Sequence, residues 1–144
     1  MRESELLPGS QSTPAEASKE RSYLDQSGWI TIGIDAWSIV ISHINMGSKQ
    51  RPIFIRMILD AHEEILAKRL IYGNELDQWM IAHMMTTRGF AETILNEPNQ
   101  RIALDLATMV HAKLSEMLAA KNYDERILID RKWRLEKGYI GNIK

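Results

Sequence analysis

Apolar residues recur three and four positions apart along most of this chain, and that spacing constrains its fold more than any other feature. The clearest stretch runs from Pro52 to Tyr72 and is followed by Gly73. Proline suits the first turn of a helix, where its missing N–H has no partner to lose, and glycine suits the residue after the last turn. The stripe of this stretch consists of Ile55, Ile58, Leu59, His62, Leu66 and Leu70. The sequence therefore predicts an amphipathic helix over 52–72.

Two further stretches show the same spacing and predict two more helices. One begins at Asn74 or Glu75 and runs to Leu95, and the other runs from Pro98 to about Lys121. Gly89 lies inside the first of them. Because glycine disfavours a helix interior by about 1 kcal/mol relative to alanine, we expect a kink or break there.

The stretch 28–47 combines two patterns. Ile30, Ile32 and Ile34 alternate with polar or small residues, which is typical of an extended strand. Asp35 then suits a helix N-cap, and apolar residues at helical spacing follow it. We predict a short extended lead-in over 30–34 and a helix over 36–46.

The stretch 123–137 also fits two patterns, and its spacing does not choose between them. Its composition is rich in charged residues and leucine, which favours a helix. Four of its large apolar residues nevertheless alternate with a period of two, as in a strand. These residues are Ile127, Ile129, Trp133 and Leu135. We predict a helix that opens at Asp124 or Glu125 and runs to Lys137, with a strand over 126–135 as the open alternative.

Residues 1–21 differ in composition from the rest of the chain. They contain two prolines and several Ser and Thr, with Leu6 and Leu7 as their large apolar residues. Such a segment does not bury enough apolar surface to offset the entropy lost on ordering. We predict a flexible N-terminal arm over 1–21, which either stays solvated or orders on a partner through Leu6 and Leu7. A helical domain is predicted over 22–137 and a loose tail over 138–144.

These elements define the predicted fold class, which is all-α: a bundle of four or five helices behind a flexible arm. The length of 144 residues fits one domain. The 18 basic and 19 acidic residues give a net charge of −1, so bulk positive charge does not attract nucleic acid or acidic lipid. The absence of cysteine excludes disulfides and thiolate metal sites.

No secretory signal and no apolar run of about 18 residues is visible. We therefore expect a soluble cytoplasmic protein with no membrane partner. No catalytic motif is complete, so we expect neither an enzyme nor a bound cofactor. His62-Glu63-Glu64 begins like a zinc-protease helix, but Leu66 stands where the second histidine belongs. No metal site is predicted, although convergence of His62, His83 and His111 from three helices stays open.

Charge is distributed unevenly along the chain. Residues 74–100 carry one basic and four acidic residues, whereas 122–144 carry six basic and four acidic ones. Within the second segment, a basic–aromatic cluster is the candidate for contact with nucleic acid, because cations contact phosphates and an aromatic ring stacks on a base. The candidate residues are Arg126, Arg131, Lys132, Trp133, Arg134 and Lys137. The alternative is a solvated helix with Trp133 in the core.

The leading functional prediction is a non-enzymatic protein that works through protein–protein contact, as an oligomeric structural or adaptor subunit. An acidic third helix facing the basic C-terminal segment of a neighbour would make a head-to-tail contact. The candidate interface residues are Leu6, Leu7, Glu75, Asp77 and Trp79. The alternative function is nucleic-acid binding by a helical coat or nucleocapsid subunit, through the basic–aromatic cluster.

Overall fold

The computed structural model describes residues 13–137, and it shows a helical bundle with one minor hairpin. The elements in chain order are α1 (Pro14–Asn45), α2 (Arg51–Lys68), β1 (Leu70–Ile71), β2 (Asn74–Glu75), α3 (Gln78–Leu95), α4 (Gln100–Ala119) and α5 (Tyr123–Lys137). The prediction of an all-α fold is confirmed. Within residues 13–137, no helix has both the length and the apolar composition needed to cross a bilayer.

The first helix begins well before the predicted boundary between arm and domain. Thr13 caps it: its hydroxyl accepts a hydrogen bond from the Glu16 amide, and the Glu16 carboxylate accepts one from the Thr13 amide. Pro14 follows at the first helical position. Residues 14–21 are therefore helical, and a flexible arm over that range is wrong. Residues 1–12, with Leu6 and Leu7, and residues 138–144 lie outside the described residues.

The predicted extended lead-in over 30–34 is also wrong, because α1 continues through it. The residues of α1 that face the core follow spacings of four and three, which is the helical period. These buried residues are Gln26, Ile30, Trp37, Val40 and Ile44. The alternating isoleucines do not mark a strand, since Ile30 is buried and Ile32 is exposed on the same helix.

The hairpin shifts the predicted boundaries of two helices. α2 ends at Lys68 because Arg69 takes a left-handed conformation with φ of 61°. The antiparallel β1–β2 pair then turns through Tyr72 and Gly73, so α3 starts only at Gln78. The break predicted at Gly89 does not occur, since α3 runs through it to Leu95.

The C-terminal element is a helix, as predicted. Arg126, Asp130 and Trp133 are its buried residues, and their spacing of four and three excludes the strand alternative. In the bundle, α1 packs chiefly on α4, α2 packs on α3, and α5 contacts α4, α3 and α1. The largest fully buried side chains include Trp37, Phe90, Met80, Met84 and Arg126.

Candidate functional site: a buried charge cluster and an apolar cavity

A fully buried carboxylate lies at the junction of three helices. Asp130 of α5 has 0% exposure. One oxygen lies 3.0 Å from the Lys113 Nζ of α4 and 3.6 Å from the His83 Nδ1 of α3. The other accepts a hydrogen bond of 2.8 Å from the Arg134 Nε, one turn along α5. We call these four residues the Asp130 cluster.

The cluster is a set of mutually dependent charges. Burial alone would raise the pKa of Asp130, but its contact with His83 and the charge of Lys113 hold that pKa well below its usual range. Burial lowers the pKa of Lys113, and the Asp130 carboxylate opposes this change. A buried ion pair costs desolvation that its own attraction only partly offsets. Asp130 and Lys113 therefore depend on each other, and on Arg134, to remain charged in the interior.

Two buried histidines extend from the cluster toward α2. Burial lowers the pKa of His83 to about 4, with a further contribution from the positive charge of Lys113. Burial likewise lowers the pKa of His62 to about 3, helped by His83 and Arg88. Both imidazoles are consequently neutral near pH 7. The His62 ring also makes an edge contact with Trp29, with 5.8 Å between the ring centroids.

The two histidines line an apolar cavity of about 260 Å³. Its walls come from α1 and α2, and His83 and Thr87 of α3 and Leu114 of α4 complete them. Gly33 is part of the α1 wall, where an added Cβ would lie 3.3 Å from the Leu114 Cδ1, so a glycine lets α1 approach α4 closely. Apart from His62, His83 and Thr87, the lining side chains are apolar.

The structure does not bring the three candidate histidines together. His62 and His83 line the cavity, whereas His111 of α4 is not part of its lining. Among residues 13–137, no three His, Asp or Glu side chains lie close enough to share a metal ion. The convergence left open by the sequence is therefore absent from the described part of the chain.

Arg126, predicted to contact nucleic acid, is instead buried and hydrogen-bonded to other helices of the bundle. Its exposure is 0%, and its guanidinium donates hydrogen bonds of 2.8 Å each to the Met117 carbonyl, the Tyr23 carbonyl and the Ser27 hydroxyl. It also stacks on the Tyr23 ring at 4.1 Å. These bonds join α5 to α1 and α4, so Arg126 has no surface available for a phosphate.

The remaining residues of the predicted basic–aromatic cluster are divided between core and surface. Trp133 is buried, and Arg134 is held by Asp130. Arg131, Lys132 and Lys137 are exposed, and the Lys137 Nζ lies 5.8 Å from the centre of the Trp133 ring. Trp133 is therefore not available for base stacking, and three cations remain at the surface.

The predicted interface residues are likewise largely internal. Asp77 accepts hydrogen bonds of 2.9 Å from both the Gln26 amide and the Tyr123 hydroxyl. Trp79 is buried and donates to the same hydroxyl at 3.2 Å. Burial and the hydrogen bond to Asp77 raise the pKa of Tyr123 to about 12. Glu75 alone of these three predicted residues is exposed.

Sequence reasoning missed the Asp130 cluster, although a signal was present. Lys113 stands between Val110 and Leu114 on the buried stripe of α4, and Asp130 lies on the buried stripe of α5. A charged residue at such a position is almost never buried without a partner. Lysine and aspartate on the inner faces of successive helices therefore indicate a buried ion pair.

Comparison with known proteins adds no identification to this geometry. No family model, no curated protein and no solved structure matches the chain. The molecule is thus defined by what the described residues show: a five-helix bundle whose buried charge cluster borders an apolar cavity.

Replacing Asp130 with Asn should lower the free energy of unfolding by about 3–5 kcal/mol, because it leaves Lys113 buried without a counter-charge. Urea unfolding followed by circular dichroism measures the change. The matched control is Asp124→Asn on the same helix, whose exposed carboxylate lies 3.3 Å from Lys19 and should cost about 0–1 kcal/mol. Equal effects of the two substitutions would contradict a stabilising role for the Asp130 cluster.

Stability should fall as the pH drops from 6.5 toward 4. In this range the unfolded chain protonates His62 and His83, whereas the folded chain keeps them neutral because burial lowers their pKa values to about 3 and 4. The unfolded state then binds more protons, so each histidine contributes a slope of up to about 1.4 kcal/mol per pH unit. Urea unfolding at several pH values should show a smaller slope for His62→Phe. Met80→Leu, a substitution in the core, should leave the slope of stability against pH unaltered. A slope in His62→Phe equal to that of the unmodified protein would refute the assignment of this pH dependence to His62.

Proposed function

We propose that this chain is a non-enzymatic subunit that acts through protein–protein contact, and that an apolar face on α1 and α2 binds a second copy of the chain. The supporting observation is a set of large apolar side chains that are 44% to 68% exposed. Contiguous exposed apolar surface marks interaction sites more often than isolated residues do. The α1–α2 face consists of Ile32, Ile39, Met46, Ile53 and Met57.

The spacing of these residues suits helix-to-helix packing. Ile32, Ile39 and Met46 lie seven residues apart, on one side of α1 and its C-cap. Trp29 and His43, at intermediate positions, pack on His62 and Phe54 of α2 within the chain. The free stripe therefore has a seven-residue repeat, which is the repeat of a coiled coil. Ile53 and Met57 extend the face on α2, one helical turn apart.

A second copy is the occupant that this face favours. A heptad stripe complements another stripe of the same spacing, and a two-fold pair uses one surface twice. The exposed charges beside the stripe have both signs, with Asp35 on α1 and Arg56 on α2. A two-fold pairing can therefore set Asp35 of one copy opposite Arg56 of the other, which would avoid the cost of juxtaposed like charges.

The head-to-tail contact expected from the charged segments has less support. Asp77 from the acidic segment and Arg126 and Arg134 from the basic one are engaged inside the fold. Fewer charged side chains are therefore available to contact a neighbouring copy than the numbers of acidic and basic residues in the two segments indicate. The apolar face, rather than segmental charge, supports the proposal of self-association.

Introducing an acid into the α1–α2 face should weaken self-association at least about tenfold, because a charge buried in an apolar contact costs several kcal/mol. We expect concentration-dependent association of the unmodified protein in sedimentation velocity, and its loss in the Met46→Asp and Ile53→Asp variants. Leu128→Asp is the control, since Leu128 is 63% exposed on α5, away from this face. A monomer at all concentrations, or an equal effect of Leu128→Asp, would refute the proposal.

Nucleic-acid binding is the second candidate function, and the exposure of Arg131, Lys132 and Lys137 on α5 favours it. Three cations neutralise about three phosphates, so the logarithm of the affinity should fall with the logarithm of salt concentration with a slope of about −2.7 for duplex DNA and about −2 for a single strand. Fluorescence anisotropy with labelled single-stranded RNA and duplex DNA measures it. The double variant Arg131→Ala/Lys132→Ala should lose binding while Lys49→Ala/Arg101→Ala retains it. Absence of binding at low salt would reject this function.

A further inference from the structure

The cavity between α1 and α2 is large enough for a small molecule. Its volume of about 260 Å³ exceeds the roughly 150 Å³ of an engineered protein cavity that stays dry and binds benzene. The aromatic rings of Trp29, Trp37 and Phe54 form much of its wall. A concave, mostly apolar site with a few polar groups is the usual form of a ligand pocket. The occupant that fits is largely apolar and larger than a single benzene ring.

The polar end of the cavity contains an unsatisfied side chain. His62 lines the cavity with 5% exposure, and its Nδ1 has no hydrogen-bond partner among the described residues. Buried polar atoms are seldom left unpaired. Thr87 also lines the cavity, but it already donates its hydroxyl to the His83 carbonyl at 3.0 Å. The indole N–H groups of Trp29 and Trp37 only donate, so the two histidines carry the ring nitrogens of the lining that can accept a hydrogen bond.

The Asp130 cluster determines which hydrogen bond His83 offers. The Asp130 carboxylate lies 3.6 Å from the His83 Nδ1, beyond hydrogen-bonding distance. Its negative charge favours the tautomer of the neutral ring with the proton on Nδ1, which leaves Nε2 as an acceptor. Lys113 and Arg134 are held by the same carboxylate. A carboxylate ligand would require protonation of a buried imidazole, whereas a neutral hydroxyl requires none.

We propose that this cavity binds a neutral, largely apolar small molecule with one hydroxyl group, which donates its hydrogen bond to the His83 Nε2. The proposal does not depend on self-association. Ile32, Ile39 and Met57 belong both to the cavity lining and to the α1–α2 face, but Met46 and Ile53 do not line the cavity. Variants at the latter two positions therefore separate the two proposals.

The first test compares matched probes with the full chain by isothermal titration calorimetry. 4-Propylphenol and propylbenzene differ only in the hydroxyl, and 4-propylanisole keeps the oxygen without its proton. We expect saturable binding of 4-propylphenol at one site, about two- to tenfold tighter than that of propylbenzene, since this is what one net hydrogen bond contributes. 4-Propylanisole should have no advantage over propylbenzene. Absence of saturable binding of all three probes would overturn the proposal, and equal affinity of the phenol and propylbenzene would overturn the role of the hydroxyl.

The second test fills the cavity. Ala61 lines it, whereas Ala67 is exposed on the same helix. Ala61→Leu should weaken binding of 4-propylphenol at least tenfold, and the control Ala67→Leu should leave it unchanged. Ile53→Asp should not weaken binding, because Ile53 does not line the cavity. Binding that survives in Ala61→Leu would place the probe elsewhere and overturn the assignment.

The third test asks whether the His83 Nε2 accepts the hydrogen bond of the ligand. His83→Phe keeps a planar ring but removes Nε2, so the affinities of 4-propylphenol and propylbenzene should become equal. A preference for the phenol that persists in this variant would overturn the role of His83. If His83→Phe fails to fold, the comparison of 4-propylphenol with 4-propylanisole in the unmodified protein still tests whether the ligand donates the hydrogen bond.

Discussion

The attraction between the buried Asp130 carboxylate and Lys113 is the interaction on which the rest of the structure depends. It joins α5 to α4 at a point where neither side chain reaches water. Arg134 and His83 complete the surroundings of the carboxylate, so α3 is included as well. Buried charges of this kind stabilise a fold only while all of them are present. The arrangement of α3, α4 and α5 is therefore specified by charge as well as by apolar packing.

The Asp130 cluster determines which hydrogen-bonding group His83 presents to the cavity. The negative charge of Asp130, 3.6 Å from one nitrogen of His83, favours the proton on that nitrogen, which leaves the opposite nitrogen as an acceptor. Burial keeps the ring neutral. An apolar cavity in a helical bundle is otherwise indifferent to the polarity of its occupant. Here a carboxylate in α5 determines what a cavity between α1 and α2 can recognise, although Asp130 does not line it.

The sequence predicts which residues form helices well, but it predicts poorly which residues of different helices contact each other, and both results have physical reasons. The apolar stripe of α2 identifies that helix because period and burial coincide there. Ile30, Ile32 and Ile34 were misleading, since three isoleucines at alternate positions match a strand even when only Ile30 is buried. Arg126 and Asp77 look like surface charges, but Arg126 bonds Tyr23, 103 residues away in the chain, and Asp77 bonds Gln26, 51 residues away. Such long-range pairs leave no local pattern, so the candidate site emerges only from the folded structure.

Arg126 lies one turn before Asp130 on α5, and its contacts respond differently to acid. Its guanidinium binds two backbone carbonyls and a hydroxyl, none of which takes up a proton in the physiological range, and arginine itself stays charged. The contacts that hold Tyr23 and Ser27 of α1 to α4 and α5 are consequently insensitive to mild acid. His62 and His83, where α2 and α3 meet the cavity, are the acid-sensitive groups. Adjacent turns of α5, at Arg126 and at Asp130, therefore belong to contacts that mild acid affects differently.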